Sequence, residues 1–266
     1  MNMFVCIKQV YDPEAPPENF KIDPTTDKVV SAPGVLQVVD PYAEYAVEAA
    51  LRIKDSNGGK VTAICLGTNL IGDVVKKPLC MGADELILLE DPAFDGGDSW
   101  STAYALAMAI KKAGDYSIVF CGREASDWNA GQVGSAIAEI LGLPCMTLAQ
   151  QIELTDTKVK VKRGTDDGYE VVESPLPAVI TVSNEIGKPR YQTVKWILAA
   201  KKKEPIILKP SDIGVDASKI GAEGRRSRLL KLFLPVSERK CEIISADTPE
   251  EAAVRLALRL RETKIL

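Results

Sequence analysis

The sequence predicts an α/β fold: a mostly parallel sheet with helices on both faces, a small antiparallel insertion, and a C-terminal arm that ends in a helix. Three observations carry this. Short apolar runs alternate with longer segments whose apolar residues recur at helical spacing. The runs are apolar at successive positions, as strands covered on both faces require. After Pro144 the pattern changes to polar–apolar alternation around a turn, the mark of antiparallel strands. The chain has 266 residues, 46% of them hydrophobic, enough to bury a sizeable core.

The elements follow in order. Met3 to Ile7 is a strand, followed by a polar, Pro-rich excursion over residues 11–27. Asp40-Pro41 opens a helix, with Asp40 as N-cap and Pro41 at the first helical position. Ala43, Ala46, Val47, Ala50 and Leu51 fall on one face of it, and Asn57-Gly58-Gly59 ends it. Val61 to Leu66 is a strand, 71–81 a helix, and Leu86 to Leu89 the next strand. The loop Asp91 to Gly97 leads to a helix with Ala103, Leu106, Ala107 and Ile110 on one stripe. Ser117 to Cys121 is a strand, and a helix lined by Val133, Ala136, Ile137, Ile140 and Leu141 follows. Gln151 to Arg163 and Tyr169 to Glu173 read as the antiparallel insertion, and Ala178 to Ser183 as a further buried strand.

Residues 1–200 thus read as an α/β domain, and residues 201–266 as a basic linker and C-terminal arm. Residues 201–240 have weak periodicity and are basic, with Lys201, Lys202, Lys203, Arg225, Arg226 and Arg228, and read as an extended linker or arm. The lysine run reads as a solvated face or a partner contact. A last helix begins at Thr248-Pro249, with Thr248 and Glu251 in capping-box positions.

Composition excludes much chemistry. Histidine is absent, so there is no Ser-His-Asp triad, no Cys-His dyad and no imidazole proton shuttle. The six cysteines form no CxxC pair, which argues against zinc ribbons and iron–sulfur runs. Scattered single cysteines suggest a reducing compartment, and with no secretory h-region ahead of the first strand the expected location is cytoplasmic. No apolar run is long enough for direct membrane insertion. With 33 basic and 37 acidic residues, nothing in the balance points to nucleic acid. A chain this short of catalytic side chains is expected to bind a group that carries the chemistry.

In open parallel sheets ligands bind outside the C-terminal strand ends. Cys6 to Tyr11, Cys65 to Thr68 and Cys121 to Gly134 should lie there. The third is the most informative: a strand ends, an irregular loop with two internal glycines follows, and a helix starts near Gly131. Exposed amides and a positive helix end suit a phosphate, Arg123 adds positive charge, and Asp127 and Asn129 can cap the helix or meet ribose hydroxyls. The same loop also reads as a glycine-punctuated βα connection with Asn129 as a cap, and it is neither GxGxxG nor GxxxxGK[ST]. Asp40 divides in the same way between plain N-cap and nucleotide contact. Cys6, Cys65 and Cys121 read as small packing residues. In Phe94 to Trp100, Asp98 or Ser99 caps a helix, or the loop approaches a cofactor ring.

At these residues the chain resembles the β subunit of electron transfer flavoproteins (ETF), from the first strand to about residue 215. VCIKQV is similar to the family's opening strand. VVDPYAEYAVEAALRIKD is similar to its Asn-Pro helix, with Asp40 in place of Asn. CMGADELILLED matches its Met-Gly-Ala-Asp turn, and GREASDWNAGQVGSAIAEILGLP its nucleotide loop. The most specific stretch is Val161 to Lys203, with LPAVITV and KPRYQTVKWILAAKKK. Trp128-Asn129 replaces the usual Gly-Asp and is closer to Fix-type sequences.

The resemblance implies a heterodimer with an ETF α subunit, whose FAD sits on a mobile domain and which the C-terminal arm of this chain wraps. It implies a second nucleotide site formed by Cys6, Val38, Val39, Asp40, Cys65, Gly122, Arg123, Asp127, Trp128, Asn129, Ala130, Gly131, Gln132 and Val133. Simple members hold a structural AMP there. Electron-bifurcating members hold FAD, with NADH as transient electron donor, and DPAFDGGDSWSTA is similar to their loop. FAD is therefore expected, with AMP the alternative. Ile186 stands where the family places the apolar anchor for its redox partner, an acyl-CoA dehydrogenase or quinone-reducing oxidoreductase, although Gly187-Lys188 replaces the usual Asn-Glu. Val254, Leu256, Leu258 and Leu260 are expected to pack on the α subunit. A rival from another class is a stand-alone adenine-nucleotide module similar to universal-stress domains. The insertion, basic arm and terminal helix argue against it.

Overall fold

The structure is a computed structural model and describes residues 1–26, 28–155, 157–234 and 241–265. Asp27 of the polar excursion, Asp156 of the insertion, residues 235–240 of the arm and Leu266 lie outside the described residues. The chain divides into two units, residues 1–21 with 29–230, and residues 22–28 with 231–266.

The strands are β1 (Asn2–Ile7), β2 (Gln9–Tyr11), β3 (Phe20–Asp23), β4 (Lys28–Ser31), β5 (Gln37–Val39), β6 (Lys60–Leu66), β7 (Glu85–Leu89), β8 (Ile118–Gly122), β9 (Cys145–Leu154), β10 (Lys158–Thr165), β11 (Gly168–Pro175), β12 (Ala178–Val182) and β13 (Ile206–Leu208). The helices are α1 (Pro41–Asn57), α2 (Gly72–Val75), α3 (Lys77–Met81), α4 (Ser99–Ala113), α5 (Val133–Leu141), α6 (Val194–Lys201), α7 (Pro210–Ile213), α8 (Gly221–Gly224) and α9 (Pro249–Glu262).

Among the described residues nine strands form one sheet in the order β11-β10-β9-β12-β8-β1-β6-β7-β13. All neighbours from β9 to β13 pair parallel, and only the β9–β10 and β10–β11 pairings are antiparallel. This is the α/β class the alternation predicts.

Strand parity sorts the core. On β1, Met3, Val5 and Ile7 face one apolar cluster, and Phe4 and Cys6 the other. The first cluster takes Ala46, Val47, Ala50 and Leu51 of α1 and Leu79 and Met81 of α3. The second takes Leu106 and Ile110 of α4 and Ile137 of α5. Phe120, Leu51, Ile110 and Ile180 are fully buried. Each such side chain contributes about 1.5–3 kcal/mol of transfer free energy.

Two expectations change. The helix over 71–81 is two short helices, because Pro78 has no N–H for the Val74 carbonyl and its ring crowds that turn. The antiparallel insertion is found as expected, and because β9 pairs parallel with β12 it extends the main sheet. Part of the 201–240 stretch is built into the sheet domain, since β13 pairs with β7 and α7 and α8 follow it. A three-residue strand has too little periodicity to register in sequence.

The chain after β13 is held through Asp98. Its Oδ1 accepts from Trp100 N (3.1 Å) and Ser101 N (3.0 Å) and caps α4. Its Oδ2 accepts from Arg226 N (2.7 Å), Ser227 N (2.8 Å) and Ser227 Oγ (2.9 Å). The Arg226 guanidinium lies 3.4 Å from the Trp100 ring centroid. In the second unit Thr248 caps α9 by accepting from Glu251 N, as its position predicts. Among the described residues none of α9 is buried: Val254 is 60% exposed and Leu258 55%.

Burial pushes the Asp98 carboxyl up, but the amides of Ser101, Arg226 and Ser227 outweigh it and hold it at about 2, below its ordinary 3.8. A depressed folded value stabilises fully above about pH 4, and the benefit is lost as pH falls toward 2. Asp98→Asn should therefore cost about 1–2 kcal/mol at pH 7, allowing for partial exposure. Denaturant unfolding at pH 7, 4 and 3 should show the gap from wild type closing on acidification. A gap independent of pH would contradict this assignment.

Candidate functional site

From β1 the chain moves to β6 and β7 on one side, then returns to β8 on the other. The strand order reverses between β1 and β8, and connections leaving their C-terminal ends diverge there, opening a crevice. The loop 123–132 after β8 borders it, with Lys8 to Tyr11 after β1 and Val38 to Asp40 before α1.

Asp40 is 1% exposed. Its Oδ1 accepts from Tyr42 N (2.9 Å) and Ala43 N (3.3 Å), the N-cap role. Its Oδ2 accepts from Ser126 N and Ser126 Oγ, both at 2.7 Å. One carboxylate thus starts α1 and fastens the β8 loop to it. The Asp40 N–H donates to the Lys8 carbonyl at 2.8 Å. The short ladder β2–β5, pairing Val10 with Val38 and Gln9 with Val39, holds the same two segments together. Val39 is buried and Val38 half-buried.

Asp127 does not cap α5. It pairs with Lys8, Nζ standing 2.8 Å from Oδ1 and 2.6 Å from Oδ2. Asn129 does not cap it either, because its backbone is left-handed (φ 49°) and closes a turn by donating from N to the Ala125 carbonyl at 2.8 Å. Gly131 is left-handed too (φ 62°), which re-aims the chain into α5. The helix begins at Val133, with Gln132 as N-cap residue. Among the described residues no side chain caps its first N–H groups. These donors and the helix dipole are available to an anion. Trp128 (63% exposed), Asn129, Ala130, Gly131 and Gln132 are all exposed beside them.

Arg123 is partly exposed, 5.3 Å from the Tyr42 ring centroid and 3.1 Å from Glu124. Its N–H donates to the Val182 carbonyl at 2.9 Å. Gly122 lets α1 approach: a Cβ there would stand 2.7 Å from the Tyr42 carbonyl carbon and Cβ. On Gly134 it would stand 2.5 Å from Thr181 Cγ2.

The three strand-end cysteines are not brought together. Cys6 and Cys121 share the α4–α5 face, whereas Cys65 faces α1. Contact with the Cys6 thiol and burial push Cys121 up, and burial pushes Cys65 up to about 12. Both stay protonated and serve as packing.

Ile186 lies away from this crevice, in a helical turn over Asn184–Ile186. It is half-buried and packs against the α1-side core. Arg52 of α1 donates to its carbonyl (2.6 Å) and to that of Lys188 (3.2 Å). Buried Glu48 accepts from Arg52 Nε (2.8 Å), Arg190 N (3.0 Å) and Arg190 Nε (2.8 Å). Burial pushes the Glu48 carboxyl up, but the two guanidinium groups outweigh it and hold it low. The exposed apolar groups follow the loop: Tyr191 (95%), Val194 (74%) and Leu198 (56%). Sequence reasoning missed these, although Val194 and Leu198, four apart, share one side of α6. It also missed Lys8 and Ser126, whose partners are distant in sequence.

Gly122→Ala should force the start of α1 away from β8. We expect a loss of about 1–3 kcal/mol, read as a melting temperature lower by roughly 2–10 °C. An unchanged melting temperature would mean that α1 does not need this close approach.

Residues 28–213 match the family described as Electron transfer flavoprotein domain. The chain is 39% identical over 267 residues to the electron transfer flavoprotein subunit beta of Thermoanaerobacterium thermosaccharolyticum, covering 100% of both chains. It is 37% identical over 267 residues to the caffeyl-CoA reductase-Etf complex subunit CarD of Acetobacterium woodii, again covering 100% of both. It is 35% identical over 243 residues to protein FixA of Azorhizobium caulinodans, covering 88% of this chain and 85% of that one. With the parallel sheet and its crevice, these likenesses establish that the chain belongs to the electron transfer flavoprotein family, among its β subunits.

Proposed function

We propose that this chain is the β subunit of a heterodimeric electron carrier that holds FAD in the crevice between β1 and β8 and takes part in flavin-based electron bifurcation from NADH. The observation that carries the reading is the uncapped start of α5 behind the loop fastened by Asp40 and Lys8. Its amides suit a pyrophosphate, Gly122 lets α1 close against β8, and left-handed Gly131 turns the loop into α5. A bound flavin supplies hydride acceptance and electron transfer. The chain itself binds and orients. Backbone N–H groups from Asp127 to Gln132 and the start of α5 neutralise phosphate charge, assisted by Arg123. Val38 supplies an apolar wall, with Cys6, Val39 and Cys65 packed in the core behind it, and Asp40 fixes the loop. Trp128 and Asn129 form the outer rim.

The DPAFDGGDSWSTA loop, at the same sheet edge after β7, and the likeness to FixA and CarD support FAD over AMP. The arm within residues 201–266 packs on an ETF α subunit, with the exposed apolar side chains of α9 as the contact. Its electron-exchange partner is an acyl-CoA dehydrogenase or a quinone-reducing oxidoreductase, which docks at the loop carrying Ile186 and at Tyr191, Val194 and Leu198. CarD, by name a subunit of a complex with a CoA-ester reductase, favours the first class. The complex is cytoplasmic. Among the described residues no helix is long and apolar enough to cross a membrane.

Acid release of nucleotides from the complex co-expressed with its α subunit tests the cofactor. Two FAD per heterodimer and no AMP is the expected result. One FAD with AMP would replace bifurcation by simple electron carriage, and no nucleotide beyond that of the α subunit would overturn the reading. Deleting residues 246–266 should reduce co-purification with the α subunit, and undiminished recovery would remove the arm from the interface.

A further inference from the structure

We propose that Lys8 is a positioning residue of the nucleotide site, which neutralises and fixes Asp127 so that the loop presents its amides to an anion. The inference rests on the reading of that loop as the nucleotide site. Asp127 puts a carboxylate beside amides meant for phosphate. At Coulombic distances of several ångströms an unpaired carboxylate repels phosphate appreciably even in a partly aqueous setting. Lys8 removes that charge from a segment 119 residues away in sequence, with Nζ within 2.8 Å of both oxygens.

The pair belongs to a closed circuit. The Lys8 carbonyl accepts from Asp40 N, Asp40 Oδ2 accepts from Ser126 N and Oγ, and the next residue, Asp127, returns to Lys8 Nζ. Two successive loop residues are thereby fixed from two other segments before any ligand arrives. A loop ordered in advance spares a ligand the ordering cost. The side chains are 41% and 34% exposed, so the pair contributes little as a plain salt bridge. Its consequence is the charge and shape of the loop. Because Nζ already engages both Asp127 oxygens, Lys8 acts through that residue and not as a direct phosphate ligand.

The test uses the full chain in its complex, stripped of nucleotide, with calorimetric binding of ADP, a group that FAD contains and that itself contains AMP. Lys8→Met should weaken ADP by about tenfold, less at high salt. Lys8→Arg should stay near wild type. The double variant Lys8→Met/Asp127→Asn should recover most of the loss, because no bare carboxylate remains. A merely structural lysine would not be rescued by removing its partner. Unchanged binding by Lys8→Met, or a double variant no better than Lys8→Met, overturns the proposal, the second outcome making Lys8 a direct ligand. Wild-type protein that binds no ADP overturns the site itself, and the proposal with it.

Discussion

A buried carboxylate, Asp40, is the constraint on which the sheet edge depends. An ionised group nearly out of water costs several kcal/mol unless its lone pairs are filled. Here four donors fill them, two from the first turn of α1 and two from Ser126. The carboxylate can be satisfied only if helix and loop are both in place. The loop therefore has a fixed root, and Lys8 fixes the residue after it. What remains exposed are the turn around Asn129 and Gly131 and the first amides of α5. The fold leaves its donors unfilled where the strand order reverses, the place where a parallel sheet can seat a ligand.

The side-chain chemistry explains why the chain needs such a ligand. It has no histidine, the thiols nearest the crevice are buried, and those of Cys65 and Cys121 stay protonated. Their roles are steric. Cys6 and Cys121 lie on one face of the sheet and Cys65 on the other, as the alternation of side chains along adjacent strands dictates. Membership of the flavoprotein family fits a scaffold that positions a cofactor and contributes no acid or base of its own.

Much of the fold was legible in the sequence, because its main signals are local. Asp40-Pro41 and Gly58 bracket α1, and Asp98 caps α4. The doubly buried strands read as continuous apolar runs. Pro78 is equally local, and it splits the apolar pattern of 71–81 into two short helices. What could not be read depends on long-range pairing. The three-residue β13 exists because β7 offers it an edge, and the hairpin strands join the main sheet because β9 finds β12. At the site, the loop and Asp40 were legible from glycine spacing and capping chemistry. For Asp127 and Asn129 the sequence leaves capping and ribose contact open, because nothing local reveals that Lys8 claims one and the backbone turn the other. Ile186 has polar neighbours in sequence, yet Arg52 and Glu48 hold its loop against α1 and leave Tyr191, Val194 and Leu198 outside.

The central claim is that an adenine nucleotide sits against the start of α5 and the loop before it. The most direct test is amide hydrogen exchange on the complex, with its nucleotides bound and after they are stripped. The account predicts that bound nucleotide slows exchange in this chain chiefly over residues 122–135 and around residues 6–10 and 38–43. Protection confined to other segments, or no difference in those three, would contradict it.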